Sequence, residues 1–386
     1  MHWARTLGVL AIIGCAASAT AETLESGLTA IRSVDRLGKG HEQAVTAAAQ
    51  LSKLGPEKLP ELLAGMNGAN PLATNWLRGV VDAVADRAIR SGGKLPQDGL
   101  EAFLRDQANA PRARRLAFEW LLVAEPKAGE RLIPQMLDDS SVELRREAVV
   151  WAIGQAEQAE NAKAPAADVL AAYQRAFAAA RDLDQIKQLS AKLEKLGAKP
   201  DLPKHMGFLT TWRLIGPFDN SGKKGFPIAY PPEVEEFSAD AEYTGKADKK
   251  LRWVEHTTAD AYGMVDLNKA LGKEPGAIAY ARAEFESADA RPVELRLGCI
   301  NATKIWLNGQ PVNIHDVYHS GTDVDQYVEP VALERGKNVI LIKVAQNEQT
   351  EDWAQDWAFQ LRICDPVGTA VAPVAASTKP DGSTGR

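Results

Sequence analysis

The chain has 386 residues and a formal net charge of −6 at pH 7, from 45 Lys and Arg residues against 51 Asp and Glu residues. This mild negative charge, with basic residues clustered no further than in pairs, argues against a nucleic-acid-binding protein, which would carry a basic stripe. The length is more than one small core can organise, and it predicts two or three domains.

Residues 1–21 have the features of an export signal. One Arg precedes a short apolar segment, and the tripeptide Ala-Thr-Ala at 19–21 supplies the small residues of a cleavage site. The pattern predicts a secreted or periplasmic protein whose mature chain begins at Glu22. An alternative stays open, because IIGC at 12–15 resembles a bacterial lipobox and would leave Cys15 as a lipid-anchored first residue. No later segment has the roughly 20 apolar residues of a transmembrane helix.

Residues 22–200 are predicted to be helical. Ala, Leu, Glu, Arg and Gln are abundant, and apolar residues recur at i, i+3 and i+4 spacing with almost no alternation of the β type. Pairs that contain Gly or Pro break the pattern at 55–56, 70–71, 92–93, 110–111, 125–126 and 164–165. Helices of about ten to eighteen residues are expected between these breaks. A last helical pair is expected at 165–196, because Gly197 stops the pattern.

The segment LIPQMLDDSSVELRREAVVWAIG at 132–154 joins two apolar helices through a polar turn. The same outline occurs one unit earlier, where Arg114 and Trp120 take the places of Arg145 and Trp151. A single pair of such helices cannot bury its apolar face alone. The units are therefore expected to stack as an α-solenoid.

These residues resemble the HEAT repeat family, most clearly in the Asp-x-x-x-x-Leu-Arg pattern of the turn and second helix. The resemblance covers about residues 57–156, including a looser third copy that contains Trp76. It implies a scaffold that contacts a protein partner, and not an enzyme. Trp76, Trp120 and Trp151 are then expected in the repeat core. The paired arginines of the two clearer copies are expected in ion pairs between repeats rather than at an anion site.

From residue 201 to residue 365 the pattern changes to short alternating segments typical of β-strands. The stretch 293–312 is predicted to hold two strands folded back on each other, with Asn308-Gly309 as a tight hairpin turn. The predicted strands are 208–215, 252–255, 278–285, 293–297, 304–307, 326–333, 338–344 and 358–364, the first ending at the Gly-Pro pair 216–217. Such strands without intervening helices predict an antiparallel β-sandwich of the jelly-roll type, in a multidomain protein with the α-solenoid first.

The succession TTWRLIGPFDN, ELRLGCINATKIWLNGQPV, ALERGKNVILIKV and WAFQLRI resembles the galactose-binding-like jelly-roll modules found beside glycoside hydrolase domains. The resemblance covers most of residues 205–365 and implies a glycan as the candidate ligand. The junction of helical repeats with GPFDN resembles a group of secreted bacterial proteins. One departure is GCIN at 298–301, where such modules often have an acidic pair after the glycine, so that polar contact is not carried over.

Trp353 is the leading candidate for contact with a sugar ring. It lies in the polar loop 346–356, where an exposed indole can stack on a sugar while Asp352 and Asp356 accept hydrogen bonds from hydroxyl groups. Tyr318 is a weaker aromatic candidate. A different outcome stays open, in which Trp353 folds back on the sandwich.

No catalytic motif is present, neither a Gly-x-Ser-x-Gly or His-Glu-x-x-His sequence nor a phosphate-binding or dinucleotide fingerprint. The densest polar cluster consists of His315, Asp316, His319, Asp323 and Asp325. Its side chains are of the kinds that ligate metals, but their spacing matches no established motif, and a solvated loop is the favoured interpretation. We therefore predict no metal and no cofactor.

Three further expectations concern burial and order. Trp357 alternates in phase with Phe359 and is expected in the core. Cys299 and Cys364 are either one disulfide or two separate buried residues, and the second interpretation is favoured. The tail 366–386, rich in Ala, Pro, Ser, Thr and Gly, is expected to be disordered.

Together these observations favour an exported, non-enzymatic binding protein. The jelly-roll module is the expected site for a glycan, and the helical repeats are the expected scaffold for a protein partner. Two alternatives stay open, a glycan-processing hydrolase with an unrecognised site and a purely structural assembly protein.

Overall fold

The computed structural model describes residues 22–374. These described residues form two compact units that divide between Leu196 and Gly197, which we call the helical unit and the β unit. The chain is therefore a mixed α and β protein with helices first and antiparallel sheets later, as predicted. Predictions for residues 1–21, including the lipid anchor at Cys15, and for residues 375–386 lie outside the described residues. No helix within 22–374 is long and apolar enough for a membrane crossing.

The helical unit consists of helices joined by short turns. Their bounds are 22–32 (α1), His41–Leu51 (α2), Leu59–Ala64 (α3), Pro71–Arg90 (α4), Gln97–Arg105 (α5), Pro111–Ala124 (α6), Ala128–Leu132 (α7), Val142–Asn161 (α8), Ala166–Ala179 (α9) and Leu183–Lys195 (α10). The side chain of Asn70 caps α4 by accepting a hydrogen bond from the Ala73 amide. Pro71 and Pro111 occupy first helical positions, where the missing N–H removes no helical bond.

Some helices are shorter than the predicted ten residues. The helix α3 has six residues and α7 has five. Pro134 follows α7 within a 3₁₀ turn at Ile133–Gln135. Because proline has no N–H to donate along the helix, it ends the α-helical hydrogen-bond pattern there.

The arginines of the helical unit connect neighbouring helical pairs. Arg114 on α6 is buried, and its two terminal nitrogens donate to the two carboxylate oxygens of Asp139 at 2.7 and 2.6 Å. Arg145 on α8 donates through Nε to the backbone oxygen of the same Asp139 at 2.9 Å. Arg146 donates to Asp184 at 2.8 Å. The predicted ion pairs between repeats are confirmed for Arg114 and Arg146, whereas Arg145 bonds to a backbone oxygen of its own repeat.

The prediction that the three repeat tryptophans lie inside the core is wrong. Trp76, Trp120 and Trp151 are only partly buried and pack against the edge of the apolar core. The indole nitrogen of Trp120 donates to Asp82 Oδ1 at 2.8 Å. This bond holds the polar edge of the ring at the surface, where it and its carboxylate partner keep contact with water.

The β unit contains strands Thr211–Asp219 (β1), Glu242–Thr244 (β2), Lys250–Arg252 (β3), Val254–Thr257 (β4), Val265–Asp266 (β5), Ala277–Ser287 (β6), Arg291–Cys299 (β7), Ala302–Leu307 (β8), Gln310–His315 (β9), Tyr327–Leu333 (β10), Gly336–Ala345 (β11) and Ala358–Cys364 (β12). Short helices lie at Leu202–Met206 (α11), Pro231–Val234 (α12) and Leu267–Leu271 (α13). In the described part, the strands form a six-stranded antiparallel sheet in the order β4-β1-β6-β11-β8-β9 and a four-stranded sheet in the order β10-β7-β12-β5. The strands β2 and β3 form a separate ribbon.

The two larger sheets pack on each other through one apolar core. Trp212 and Ile342 from the six-stranded sheet share this core with Leu297 from the four-stranded sheet and with Trp357, which directly precedes β12. Trp357 is fully buried, as predicted, and its indole nitrogen donates to the Val344 carbonyl oxygen at 3.2 Å. Alternation along each strand directs every second side chain into this layer.

The prediction of two strands folded back on each other over 293–312 is wrong. The strands β7 and β8 belong to different sheets, and the chain crosses between the sheets at Asn301. The buried Asn301 side chain donates to Asp356 O at 3.0 Å and accepts from the Ala358 amide at 3.2 Å, which fixes the crossing. The hairpin joins β8 to β9 instead, and Asn308-Gly309 forms its turn with the predicted positive φ angles, 50° and 78°.

Three predicted boundaries also differ. The strand β1 continues through the Gly-Pro pair 216–217 to Asp219, because a register shift between Ile215 and Phe218 leaves the proline out of the hydrogen-bond ladder. The predicted strand 252–255 is split between β3 and β4, which pair with different neighbours. The predicted disordered tail is wrong for residues 366–374, where Ala370 pairs with Cys364 and the Val374 amide donates to Glu286 O at 2.9 Å.

Candidate functional site

The loop that carries Trp353 joins β11 to β12 and contacts two other loops of the β unit. The Trp353 ring meets the ring of His319, from the β9–β10 loop, edge to face with centroids 5.1 Å apart. Glu348 accepts a hydrogen bond from the Gly222 amide, in the turn after β1, at 2.9 Å. We call Trp353, His319, Tyr318 and Asn347 the loop surface.

Trp353 is 61% exposed, as its polar sequence neighbours predict. A short 3₁₀ turn at Asp352–Ala354 carries it, and the buried Ala354 anchors that turn. Asp352 and Asp356 are both exposed beside it in the chain. One loop thus exposes an indole ring and, one and three residues away in the chain, two carboxylates that can accept hydrogen bonds.

The His319 ring is fixed by a contact with the side-chain amide of Asn347. Its backbone has φ 63°, and Asn347 donates through Nδ2 to His319 Nε2 at 2.8 Å. The opposite ring nitrogen, Nδ1, is buried and has no hydrogen-bond partner among the described residues. His319 is thus fixed on one side by Asn347 and contacts the exposed indole of Trp353 on the other.

Tyr318 belongs to the loop surface, but its hydroxyl already has a hydrogen-bond partner within the protein. Its hydroxyl oxygen accepts from Asn220 Nδ2 at 3.2 Å, and the ammonium of Lys223 lies 4.7 Å from the ring centroid. Burial raises the pKa of Tyr318 above its usual range. Tyr318 therefore supports the loop surface, and its hydroxyl is a weaker candidate for ligand contact than the Trp353 ring.

The polar cluster at 315–325 does not converge on one point. The ring of His315 stacks on Tyr327 with centroids 3.8 Å apart, whereas Asp325 forms ion pairs with Arg296 and Arg362. Residues 22–374 contain no group of three His, Cys, Asp or Glu side chains arranged to hold a metal ion.

The two cysteines of the β unit are free and fully buried, so the disulfide alternative is wrong and the favoured interpretation is confirmed. Burial raises the pKa of the Cys299 thiol to about 12 and that of the Cys364 thiol to about 11. The Cys299 thiol donates to Ala358 O at 3.2 Å. Because the thiolate is the reactive form, neither residue is a nucleophile near neutral pH.

A second concave surface lies on the six-stranded sheet, on the face away from the shared core. We call it the aromatic cavity, with a volume of about 200 Å³. Its floor contains Arg282 of β6, Leu341 of β11 and Trp306 of β8, and its roof contains Phe237, Tyr243 and Trp253 from the connection between β1 and β4.

The sequence predictions did not identify this cavity. Strand alternation places Arg282 between the buried Ala281 and Ala283, and Trp306 between the buried Ile305 and Leu307. That signal shows which face each residue occupies. It does not show that β11 lies between β6 and β8, which is what brings the two residues to one floor.

No protein-family model and no curated protein matches the chain. Similar solved structures include a β-glucosidase from Kluyveromyces marxianus in complex with glucose, at 12% identity and TM-score 0.26, with 40% of this chain covering 16% of that chain. A β-glucuronidase from an uncultured Clostridium sp. has 15% identity and TM-score 0.25, with 41% of this chain covering 29% of that chain. A GH2 β-galacturonidase from Eisenbergiella tayi bound to glycerol has 10% identity and TM-score 0.23, with coverages of 40% and 25%. The chain spans only a small part of each enzyme, and at these TM-scores the similarity supports no conclusion about function.

Proposed function

We propose that this protein is an exported, non-enzymatic saccharide-binding protein in which the β unit holds the ligand. The observation that carries the proposal is the exposed indole of Trp353 beside Asp352 and Asp356. An indole exposed to water offers a large apolar face with a polar N–H at its edge. An indole face packs on the apolar face of a sugar ring, while carboxylates accept hydrogen bonds from its hydroxyl groups.

Binding is favoured over hydrolysis by the surroundings of these carboxylates. A glycosidase acid must stay protonated near neutral pH, which requires burial or a close second carboxylate. Glu351, Asp352 and Asp356 are all exposed. They are suited to accept hydrogen bonds, and poorly suited to deliver a proton to a glycosidic oxygen.

The fold expected for such a protein is a HEAT-like α-solenoid that contacts a protein partner, followed in the chain by a jelly-roll β unit. Ion pairs between every second helix support the solenoid: Arg78 on α4 with Glu119 on α6, Arg115 on α6 with Glu147 on α8, and Arg146 on α8 with the first turn of α10. Ion pairs that recur from one helical pair to the next support an arrangement of stacked repeats. The two packed sheets and their loop-borne indole support the jelly-roll assignment.

The proposal is tested with the purified mature chain on a glycan array and on insoluble polysaccharides, with a reducing-sugar assay on the same mixtures. We expect retention of the chain on at least one glycan without release of sugar. Trp353→Ala should lose that retention, and Trp353→Phe, which keeps a ring, should keep part of it. Sugar release would support the hydrolase alternative, and no retention on any glycan would contradict the proposal.

A further inference from the structure

We propose that the aromatic cavity is a second saccharide site, which takes one neutral sugar ring, either as a free monosaccharide or as the end of a glycan chain. The inference rests on the proposed function for its ligand class. It concerns different residues, because the aromatic cavity and the loop surface have none in common.

The size of the cavity sets the size of the ligand. Its volume of about 200 Å³ is below the roughly 300–1,000 Å³ typical of sites for drug-sized molecules, so it accommodates a single ring. Phe237 and Trp253 meet edge to face in the roof, with centroids 5.4 Å apart, and Trp306 forms part of the floor. Aromatic walls on two sides suit a ring that presents C–H groups on its faces.

The polar groups in the walls include both donors and an acceptor. The indole N–H of Trp253 is buried and has no hydrogen-bond partner among the described residues. Arg282 is largely buried and has one N–H bonded to Glu284 at 2.8 Å, and the carboxylate of Glu235 is exposed at the rim. Buried polar groups of native proteins are nearly always paired, so the unpaired N–H of a residue that lines the cavity is a candidate to bond a ligand atom or a water. Sugar hydroxyl groups satisfy donors and acceptors alike.

The charges disfavour a cationic ligand. Four aromatic residues and a carboxylate would be suited to an ammonium group. The guanidinium carbon of Arg282, however, lies 3.9 Å from the centroid of the Phe237 ring. The guanidinium carbon of Arg213 lies 5.4 Å from the same centroid. The protein therefore already provides two cations for this aromatic wall, and a cationic ligand would be repelled by them.

The charges also disfavour an anionic ligand. Arg282 is paired with Glu284, and Glu233 is paired with Lys343 at 2.8 Å. Glu235 has no ion pair among residues 22–374. Glu284 also lies 3.6 Å from Lys337. Charges of both signs thus surround the cavity and are largely paired with each other, and a neutral ring is the ligand that fits best.

The roof is held to the sheet before any ligand binds. Lys343 of β11 is fully buried, and its ammonium donates to Ile228 O at 2.6 Å, to Phe226 O at 3.0 Å and to Glu233 at 2.8 Å. The hydroxyl of Tyr280 donates to the same carboxylate. These bonds fix the start of the roof segment over β6 and β11, so the cavity is preformed and little order has to be gained on binding.

The test uses the full mature chain and two-dimensional NMR of the tryptophan side-chain N–H signals, assigned by single Trp→Phe substitutions. The probes are glucose, galactose, mannose, xylose and N-acetylglucosamine, and then β-linked tetrasaccharides of each. We expect at least one probe to shift the signals of Trp253 and Trp306, and to do so equally in Trp353→Ala. Shifts with monosaccharides indicate a free sugar as ligand, and shifts with tetrasaccharides alone indicate a chain end.

Two variants separate the possible outcomes. Trp253→Phe keeps a ring and removes the orphan N–H, and it should weaken cavity binding about tenfold, the effect of one lost hydrogen bond. Trp306→Ala should abolish cavity binding, and its melting temperature shows whether the fold survives. Shifts confined to Trp353 would overturn the cavity inference while the proposed function stands. No shift with any probe would overturn the cavity inference as well, and glycan retention by the array then decides the proposed function separately.

Discussion

Arg362 on β12 and Asp325, in the loop before β10, form a two-point ion pair. The Nε atom of Arg362 donates to Asp325 Oδ1 at 2.6 Å, and its Nη2 atom donates to Oδ2. Arg296 donates to the same Oδ2 at 2.8 Å. Burial opposes the ionisation of Asp325, but the hydrogen bonds from Arg362 and Arg296 outweigh it and lower the pKa of Asp325. One carboxylate thus pairs with two arginines, of which Arg296 also pairs with Glu294 at 2.7 Å.

The ionised carboxylate of Asp325 should therefore stabilise the β unit at neutral pH, and this contribution should be lost in acid. The unfolded pKa of Asp is about 3.9, and the folded pKa of Asp325 is lower, so its contribution is complete above about pH 4 and is lost as pH falls through the folded value. Asp325→Asn should lower the free energy of unfolding by about 3 kcal/mol at pH 7, because it leaves Arg362 buried without a full counter-charge. Urea unfolding of both proteins from pH 7 to pH 2 measures this difference, which should narrow towards pH 2. A difference in the free energy of unfolding that stays constant with pH would contradict a stabilising role for the ionised Asp325 carboxylate.

The buried pair between Arg114 and Asp139 should stabilise the helical unit far more than an exposed pair does. Asp139→Asn should cost about 3 to 5 kcal/mol, because it leaves a buried guanidinium without its carboxylate. The matched control is Asp184→Asn, which breaks the exposed pair with Arg146 and should cost less than about 1 kcal/mol. Urea unfolding followed by far-ultraviolet circular dichroism compares the two. Equal losses would mean that burial does not determine the strength of these pairs.

Trp353 and Trp357 should differ in their effect on stability. Trp357 is fully buried between the sheets, and Trp357→Ala should cost roughly 3 to 5 kcal/mol as a core truncation. Trp353→Ala should change stability by no more than about 0.5 kcal/mol, as is usual at exposed positions. Thermal unfolding of the two variants and the wild type gives the comparison. A loss of similar size in both would show that Trp353 is part of the core.

The β unit should fold without the helical unit when its true edges are kept. The Asp201 side chain caps α11 by accepting from the Lys204 amide at 3.0 Å, and the Val371 amide donates to Ile363 O at 3.1 Å, so residues on both sides of 203–365 bond to the β unit. A fragment 197–374 is expected to unfold cooperatively. The shorter fragment 203–365, as its control, should melt at a lower temperature because it loses α11 in part and the Ala370 bridge. Equal melting temperatures of the two fragments would mean that residues 197–202 and 366–374 add no stability to the β unit.

Sequence patterns predicted those elements whose signals are local. The strand β12 has the predicted bounds, because its alternation with Trp357 directs Phe359 and Leu361 into the core. The Asn308-Gly309 turn is equally local, because its geometry depends on the φ angles of two residues. The pairing of β7 and β8 was not predictable in this way, because the partner of a strand is decided by contacts distant in the chain.

The two candidate sites also differ in whether their sequence signals are local or depend on residues distant in the chain. Exposure of Trp353 could be inferred from its charged neighbours. The aromatic cavity requires Trp253 from the roof to meet Arg282 and Trp306 across the middle strand β11. Only the strand order brings these three residues together, and the chain sequence does not state that order.

Saccharide binding through Trp353 is tested most directly by titration calorimetry of the wild type and of Trp353→Ala with the glycan that the array identifies. Loss of a central aromatic contact should weaken the affinity by about 1 to 3 kcal/mol, with the melting temperature nearly unchanged and with Trp353→Phe intermediate. An affinity of Trp353→Ala equal to that of the wild type would contradict the account.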